Sequence, residues 1–294
     1  MKDGELALSR KVKRMEIVFS KKCLNYSYSR HIESPETVGQ AAEILKELAY
    51  RFLEPEPASK KDLVSVHTPE WVERVERGGF FDVDTPGSDD IYHYASLSAG
   101  GALLAAKVRG FSLLRPPGHH AGMVGKVLGA STLGFCYLNN LAVAVRHLNQ
   151  RTLIVDIDGH HGNGTQEIFL GNPKVTYISL HRSPHHPGTG LTSEKNCFNF
   201  PLPPEAGDTV YLKTLDQALD RVDMKDVEVI GISAGFDGHQ GDLASLGLTS
   251  NCFKEIGRRI GTLSKDVFGV LEGGYSGENI ALDLHQLIQW IEGR

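Results

Sequence analysis

Apolar residues along this chain recur in two ways. Short unbroken runs at 111–114, 153–157, 175–180, 229–233 and 267–271 read as strands buried on both faces, where no alternation is needed. Between and around them, apolar positions return with a helical period. The stretch 37–52 places Ala41, Ile44, Leu45, Leu48 and Phe52 on one side, and Glu54-Pro-Glu-Pro57 ends it. The stretch 95–108 is rich in Ala and Gly, which suits close packing on a sheet, and 137–148, 209–222, 250–264 and 279–291 carry further helical patterns. Residues 16–20 and 63–66 read as two more short strands, Pro69 opens a helix, and 82–90 is a loop of Asp, Pro and Gly. Strand and helix in alternation predict an α/β protein with a mainly parallel sheet covered on both faces.

In a parallel sheet every strand delivers its carboxyl end to the same edge. Here those ends carry chemistry. The run 153–157 feeds Asp156, Asp158, His160, His161 and Asn163, with Gly159, Gly162 and Gly164 between them. The run 111–114 feeds Arg115-Pro-Pro-Gly-His119-His120, 229–233 feeds Asp237, and 267–271 feeds Glu272-Gly-Gly-Tyr275. Asp158 and His160 lie two apart, so an extended backbone points them the same way. With Asp237 they supply two oxygens and a nitrogen, and three protein ligands leave a coordination position open for catalysis. Oxygen-rich ligation loosens the choice of metal, so Zn²⁺ is expected with Fe²⁺ or Co²⁺ as alternatives. Two carboxylates make the ion a weaker acidifier of water, so a base is needed beside it, and His119-His120 can be that base. Asp156 and Asn163 are acceptors available to orient the two imidazoles. Unlike backing suggests that one imidazole stays cationic while the other stays neutral. Tyr275, after two glycines, can offer its phenol to a developing oxyanion.

Composition narrows the setting. Net charge is −5 with no long basic run, which argues against nucleic acid as a direct partner and admits cationic substrates. No apolar run reaches membrane length, and residues 1–14 are charged without the apolar segment of a secretory signal. Cys23, Cys136, Cys197 and Cys252 are scattered with no CxxC pair and read as reduced thiols in a reducing, cytoplasmic setting. The 294 residues show no linker, so one catalytic domain is expected over 15–294 behind a tail at 1–14, with Met15 as an alternative start.

Six motifs in order make the sequence recognisable: Arg115-Pro-Pro-Gly-His-His-Ala121, Gly134-Phe-Cys-Tyr-Leu-Asn-Asn140, Asp156-Ile-Asp-Gly-His-His-Gly-Asn-Gly-Thr-Gln166, Pro187-Gly-Thr-Gly190, Gly235-Phe-Asp237 and Leu271-Glu-Gly-Gly-Tyr275. From about Met15 to the C-terminus they resemble the zinc-dependent histone deacetylase family, which includes acetylpolyamine amidohydrolases and acetoin-utilisation-type proteins. Asn163, Gly164-Thr-Gln166 and Glu272 resemble its class II branch. The resemblance implies the arginase-deacetylase fold, a three-layer α/β/α domain, with Zn²⁺ on Asp158, His160 and Asp237. It implies water attack on an acyl-lysine-like amide, His120 as general base and acid, His119 with Asp156 in electrostatic support, and Tyr275 as donor to the carbonyl oxygen. It also implies K⁺ near Asp156, Ser179 and the carbonyls of Asp158, His160 and Leu180, and a substrate tunnel lined by Gly134 and Phe135.

Departures from the family pattern bear on substrate. The segment 121–134 is long and should reshape the rim. His185-His186 stand where relatives often have an aromatic wall, so His186 would make the tunnel more polar. Ala244 would widen the pocket, and Asp242 is the one candidate for an acidic gatekeeper. Expected partners are acylated lysine in a protein or a small acylated amine, with oligomer formation left open. The rivals are an arginase-like dinuclear manganese hydrolase, which needs further bridging acids, and a non-catalytic acyl-lysine binder, which predicts a lost ligand or a lost tyrosine.

Overall fold

In the computed structural model, residues 14–26, 31–79, 82–127, 129–264 and 266–293 are described. In chain order the elements are β1 (Ile17–Val18), α1 (Pro35–Glu47), β2 (Phe52–Leu53), α2 (Lys60–Leu63), α3 (Pro69–Arg77), α4 (Ile91–Val108), β3 (Phe111–Ser112), β4 (Ala121–Gly122), β5 (Gly125–Lys126), α5 (Asn140–Leu148), β6 (Thr152–Asp156), α6 (Asn163–Phe169), β7 (Val175–Arg182), β8 (Cys197–Leu202), α7 (Gly207–Leu219), β9 (Val229–Ala234), α8 (Ser250–Leu263), β10 (Val267–Leu271) and α9 (Gly277–Ile291). Eight strands form one parallel sheet in the order β2-β1-β3-β10-β9-β6-β7-β8, and β4 and β5 pair as a separate antiparallel hairpin.

The strands bury both faces. Leu153, Val155 and Ile157 enter one apolar cluster with residues of α1, α7, α8 and α9, while Ile154 enters a second with residues of α3, α4 and α5. Val267 and Leu271 against Phe268 and Val270 divide in the same way. Helices therefore cover both faces, as the strand–helix alternation required. Among the described residues, no helix is long and apolar enough to cross a membrane.

Several elements differ from expectation. The first helix stops at Glu47, Ala49 takes a positive φ of 59°, and Phe52 joins a strand beside β1. Its apolar side chain fits either reading, and pairing with Ile17 decides. Residues 63–66 are not a strand. A capping box between Ser59 and Asp62 starts the short helix α2 there. Strand β8 was not expected, since Pro201 interrupts its pattern. It lies at the sheet edge, where a missing N–H is tolerated. Helix α5 begins three residues later than its apolar pattern, because the Asn139 side chain caps it at the Ala142 N–H. The rim segment carries the β4–β5 hairpin, and of its residues Leu128 lies outside the described ones. Residues 1–13 of the expected tail are also outside them, whereas Arg14 donates to the carbonyls of Leu48 and Ala49.

His67 shows how a buried imidazole serves the fold. Its Nδ1 lies 2.9 Å from the Gly122 carbonyl, and its Nε2 accepts the Asn139 N–H at 2.9 Å. Burial pushes its pKa down to about 4 from an ordinary 6.5, so the unfolded chain takes up this proton first. Stability from His67 is therefore intact above pH 6.5 and is lost as pH falls towards 4. Across that window the loss is about 3 kcal/mol. His67→Gln keeps a donor and an acceptor without the titration. Urea midpoints measured from pH 7 to pH 4 should fall less steeply in the variant, and equal slopes would exclude this role.

Candidate active site

Strands β6, β9 and β10 end at one edge of the sheet, and their next residues meet. The ligand atoms of Asp158, His160 and Asp237 all lie within 4.8 Å of one another, and all three residues are buried. Backbone amides hold both acids: His160 N–H and Gly273 N–H donate to Asp158 at 2.8 and 2.7 Å, and Gly159 N–H donates to Asp237 Oδ1 at 2.8 Å. Gly235 and Gly273 leave room for this. A Cβ at Gly235 would lie 2.0 Å from Asp158 Oδ2, and one at Gly273 would lie 2.6 Å from it. Asp237 Oδ2 lies 2.7 Å from His160 Nδ1, yet it is buried and accepts no hydrogen bond. Burial and then the neighbouring Asp158 push the Asp237 carboxyl up. Two desolvated carboxylates and an imidazole around one point, with an oxygen unsatisfied, fit a divalent cation.

The Gly118 turn places two histidines beside this cluster, with ring centroids 4.1 Å apart. His119 Nδ1 lies 3.3 Å from Asp156 Oδ2, and His120 Nδ1 lies 2.8 Å from Asn163 Oδ1. Burial alone would lower His119, but Asp158 and Asp156 outweigh it and raise the pKa to about 10. Burial and the adjacent His119 hold His120 well below 6.5. The two imidazoles are thus pushed in opposite directions, His119 towards its cationic form and His120 towards its neutral form. Since Asn163 Oδ1 can only accept, Nδ1 of His120 carries the hydrogen and Nε2 is left as the acceptor.

A cavity of about 250 Å³ opens over this floor. Gly134, Phe135, His185, His186, Leu243, Tyr275 and Asp84 line it together with His119, His120, Asp158 and His160. Gly134 (φ 56°) allows a close approach, since a Cβ there would lie 2.4 Å from the His120 ring. The Phe135 ring meets Tyr275 edge-on at 6.0 Å. The acidic loop braces this wall: Asp82, Asp84 and Thr85 accept the successive N–H groups of Leu133, Gly134 and Phe135. Burial raises the Tyr275 phenol well above 10, and Arg115 opposes that only in part.

Other residues take different places from those the sequence suggested. Ala244 does not line the cavity. It is fully buried against Gly159, its N–H donates to the Asp237 carbonyl at 3.2 Å, and Leu243 reaches the cavity instead. The turn decides this, because the Asp242 carboxylate accepts the N–H groups of both Leu243 and Tyr275. Asp242 is thereby engaged with backbone beside the rim. His161 is held at both ring nitrogens by Thr189 and Gln166. Asp156 pairs in register with Ser179 on β7, whose hydroxyl meets His181, and Leu180 is buried beside it. All four cysteines are buried and unpaired, and burial pushes Cys136 well above its ordinary value, away from nucleophilic use.

The histone deacetylase domain profile matches residues 31–291, nearly the whole chain. The chain belongs to the histone deacetylase family. A probable deacetylase of Archaeoglobus fulgidus is 38% identical, with 89% of this chain and 81% of that one aligned. A probable deacetylase of Methanothermobacter thermautotrophicus is 35% identical over 92% of this chain and 89% of its own. Among solved structures, the crystal structure of the HDA15 HD domain superposes with a TM-score of 0.86 at 31% identity, covering 96% of this chain and 89% of that one. The sheet and its flanking helices are thus the arginase-deacetylase fold of this histone deacetylase family.

Within that family frame, four residues at the site carry contacts that the sequence reading does not assign: Tyr177 and Glu33 stand in none of the six motifs, and Arg115 and Glu272 stand in motifs without a role of their own. Tyr177 donates to Asp156 Oδ2 at 2.9 Å and so orients the acid behind His119. Glu272 accepts the N–H groups of Gly118 and His119 at 2.7 and 3.0 Å, which fixes the histidine turn, and burial raises its pKa to about 7. Arg115 and Glu33 form a buried ion pair behind Tyr275. An ionisable residue inside an apolar strand, as Tyr177 is, offers a local signal; Glu33 offers none, because its partner lies far along the chain.

Proposed function

We propose that the protein is a metal-dependent deacylase that cleaves the amide of an acylated lysine or a small acylated amine. One observation carries the reading: a cluster of three metal-ligand side chains lies at the floor of a cavity of about 250 Å³, beside the closely packed His119–His120 pair. A Zn²⁺ ion on Asp158, His160 and Asp237, with Fe²⁺ or Co²⁺ also admitted, would supply Lewis acidity towards the carbonyl and the attacking water.

The chain's own residues supply the rest. His120, with Nδ1 tied to Asn163, would take a proton from water at Nε2 and return it to the departing amine. His119, cationic against Asp156, would stabilise negative charge as it develops. Tyr275 keeps its proton, by virtue of its raised pKa, and would donate it in a hydrogen bond to the carbonyl oxygen. Gly134, Phe135 and His186 would flank the alkyl chain and exclude water. K⁺ would sit by Asp156, Ser179 and the carbonyls of Asp158, His160 and Leu180, steadying the strand end that carries the ligands. We read residues 15–294 as the catalytic domain, in a reducing cytoplasmic setting that suits the buried thiols.

A small acylated amine, such as an acetylated polyamine, is favoured over acyl-lysine by the Asp84 carboxylate and the imidazoles of His185 and His186 in the lining, since these give the tunnel polar and acidic contacts. A panel of fluorogenic acyl-lysine peptides and acetylated polyamines, run with and without a chelator, separates the two. Chelator-sensitive release of acetate is expected from at least one class. No release from either class would overturn the reading.

A further inference from the structure

We infer that Arg115, held by Glu33, is a positioning residue that sets Tyr275 against the substrate carbonyl. The inference rests on the deacylase reading above. It starts from a feature that stability does not account for. Arg115 and Glu33 are both fully buried, with Nη1 3.2 Å from Glu33 Oε2. Desolvating two charges costs about as much as their attraction returns, so such a pair is weak support for the folded state. Among the described residues, neither Glu33 oxygen accepts a hydrogen bond. The acid balances the guanidinium's charge without competing for its donors.

Those donors go to the turn that carries the phenol. Arg115 Nη1 donates to the Glu272 carbonyl and Nη2 donates to the Gly274 carbonyl at 2.6 Å. Between them, the Gly273 N–H donates to Asp158 Oδ2 at 2.7 Å. Gly274 has a φ of 121°, a conformation that side chains resist, so this turn needs external restraint. The guanidinium carbon also lies 5.5 Å from the Tyr275 ring centroid, within cation–π range. One planar fork therefore restrains the backbone on both sides of Gly273 and lies against the ring of Tyr275, which lines the cavity. A lysine, with one donor centre, cannot reach both carbonyls.

The test is a double-mutant cycle of Arg115→Lys with Tyr275→Phe, following kcat, KM, metal content and melting temperature. Arg115→Lys alone should lower kcat by roughly tenfold or more with KM little changed and metal retained. In the Tyr275→Phe background the same change should cost less than about threefold, since the hydroxyl it positions is gone. Equal losses in both backgrounds, or a parental kcat for Arg115→Lys, would overturn the inference. If Arg115→Lys does not fold, Glu33→Gln takes its place in the cycle with the same expected non-additivity and the same overturning result. Parental activity of Tyr275→Phe by itself would instead sink the assignment of Tyr275 and this inference with it.

Discussion

Asp158→Ala is expected to lose bound metal and turnover together. The Asp158 carboxylate faces His160 at 3.1 Å and is aimed by two backbone N–H groups, from His160 and Gly273. The glycines at 235 and 273 leave the space that this carboxylate occupies. Alanine leaves His160 and Asp237 as the remaining pair, too few to retain a divalent ion against dialysis. Removing Lewis-acid assistance worth several kcal/mol should lower kcat/KM by on the order of 10³-fold. Metal content by atomic absorption after dialysis, initial rates and circular dichroism on the same preparation form the check. A folded variant that keeps stoichiometric metal and parental rates would remove Asp158 from the ligand set.

Tyr275→Phe should leave the metal in place and still slow turnover by roughly 10²-fold or more. The phenol lines the cavity, its N–H is anchored by Asp242 at 3.1 Å, and its ring packs edge-on against Phe135. Phenylalanine keeps those packing contacts, so the loss would report the hydroxyl alone. It should fall mainly on kcat, since a donor to the developing oxyanion acts more strongly in the transition state than on the bound amide. A variant with an unchanged kcat and a raised KM would mean that Tyr275 serves binding only.

The two outcomes separate different parts of the site. Asp158 tests whether a cation is held at all, and Tyr275 tests what the chain does once it is held. His120 stands between them. Burial and then the adjacent His119 push its pKa down, and Asp158 and Asp156 in turn push that of His119 up. A mutation at Asp158 would therefore disturb the base as well as the metal, which is why metal content must be measured with the rate.

Much of this was readable before any coordinates. Asp158, His160 and Asp237 each follow a buried apolar run, and a parallel sheet sends all such ends to one edge. The unlike backing of His119 and His120 was visible as an acid and an amide flanking the ligand motif, and the structure pairs them in that way. Phe52 and residues 63–66 were misread because an apolar side chain satisfies helix and strand alike, and the choice fell to pairing with β1 in one case and to a capping box in the other. Ala244 and Leu243 are adjacent in sequence, and only the turn held by Asp242 determines which of them faces the cavity.

The sequence by itself determined the alternating architecture and the chemical inventory at the strand ends, because both are written in local pattern: burial period, glycine placement and the residue after each apolar run. Tertiary structure alone decided the long-range partners. Glu33 with Arg115, Asp82, Asp84 and Thr85 under the tunnel wall, Tyr177 behind Asp156 and Glu272 beneath the histidine turn are pairings between segments far apart in the chain. Strand order and register set such pairings, and no local run of residues specifies which distant amide a buried carboxylate will meet.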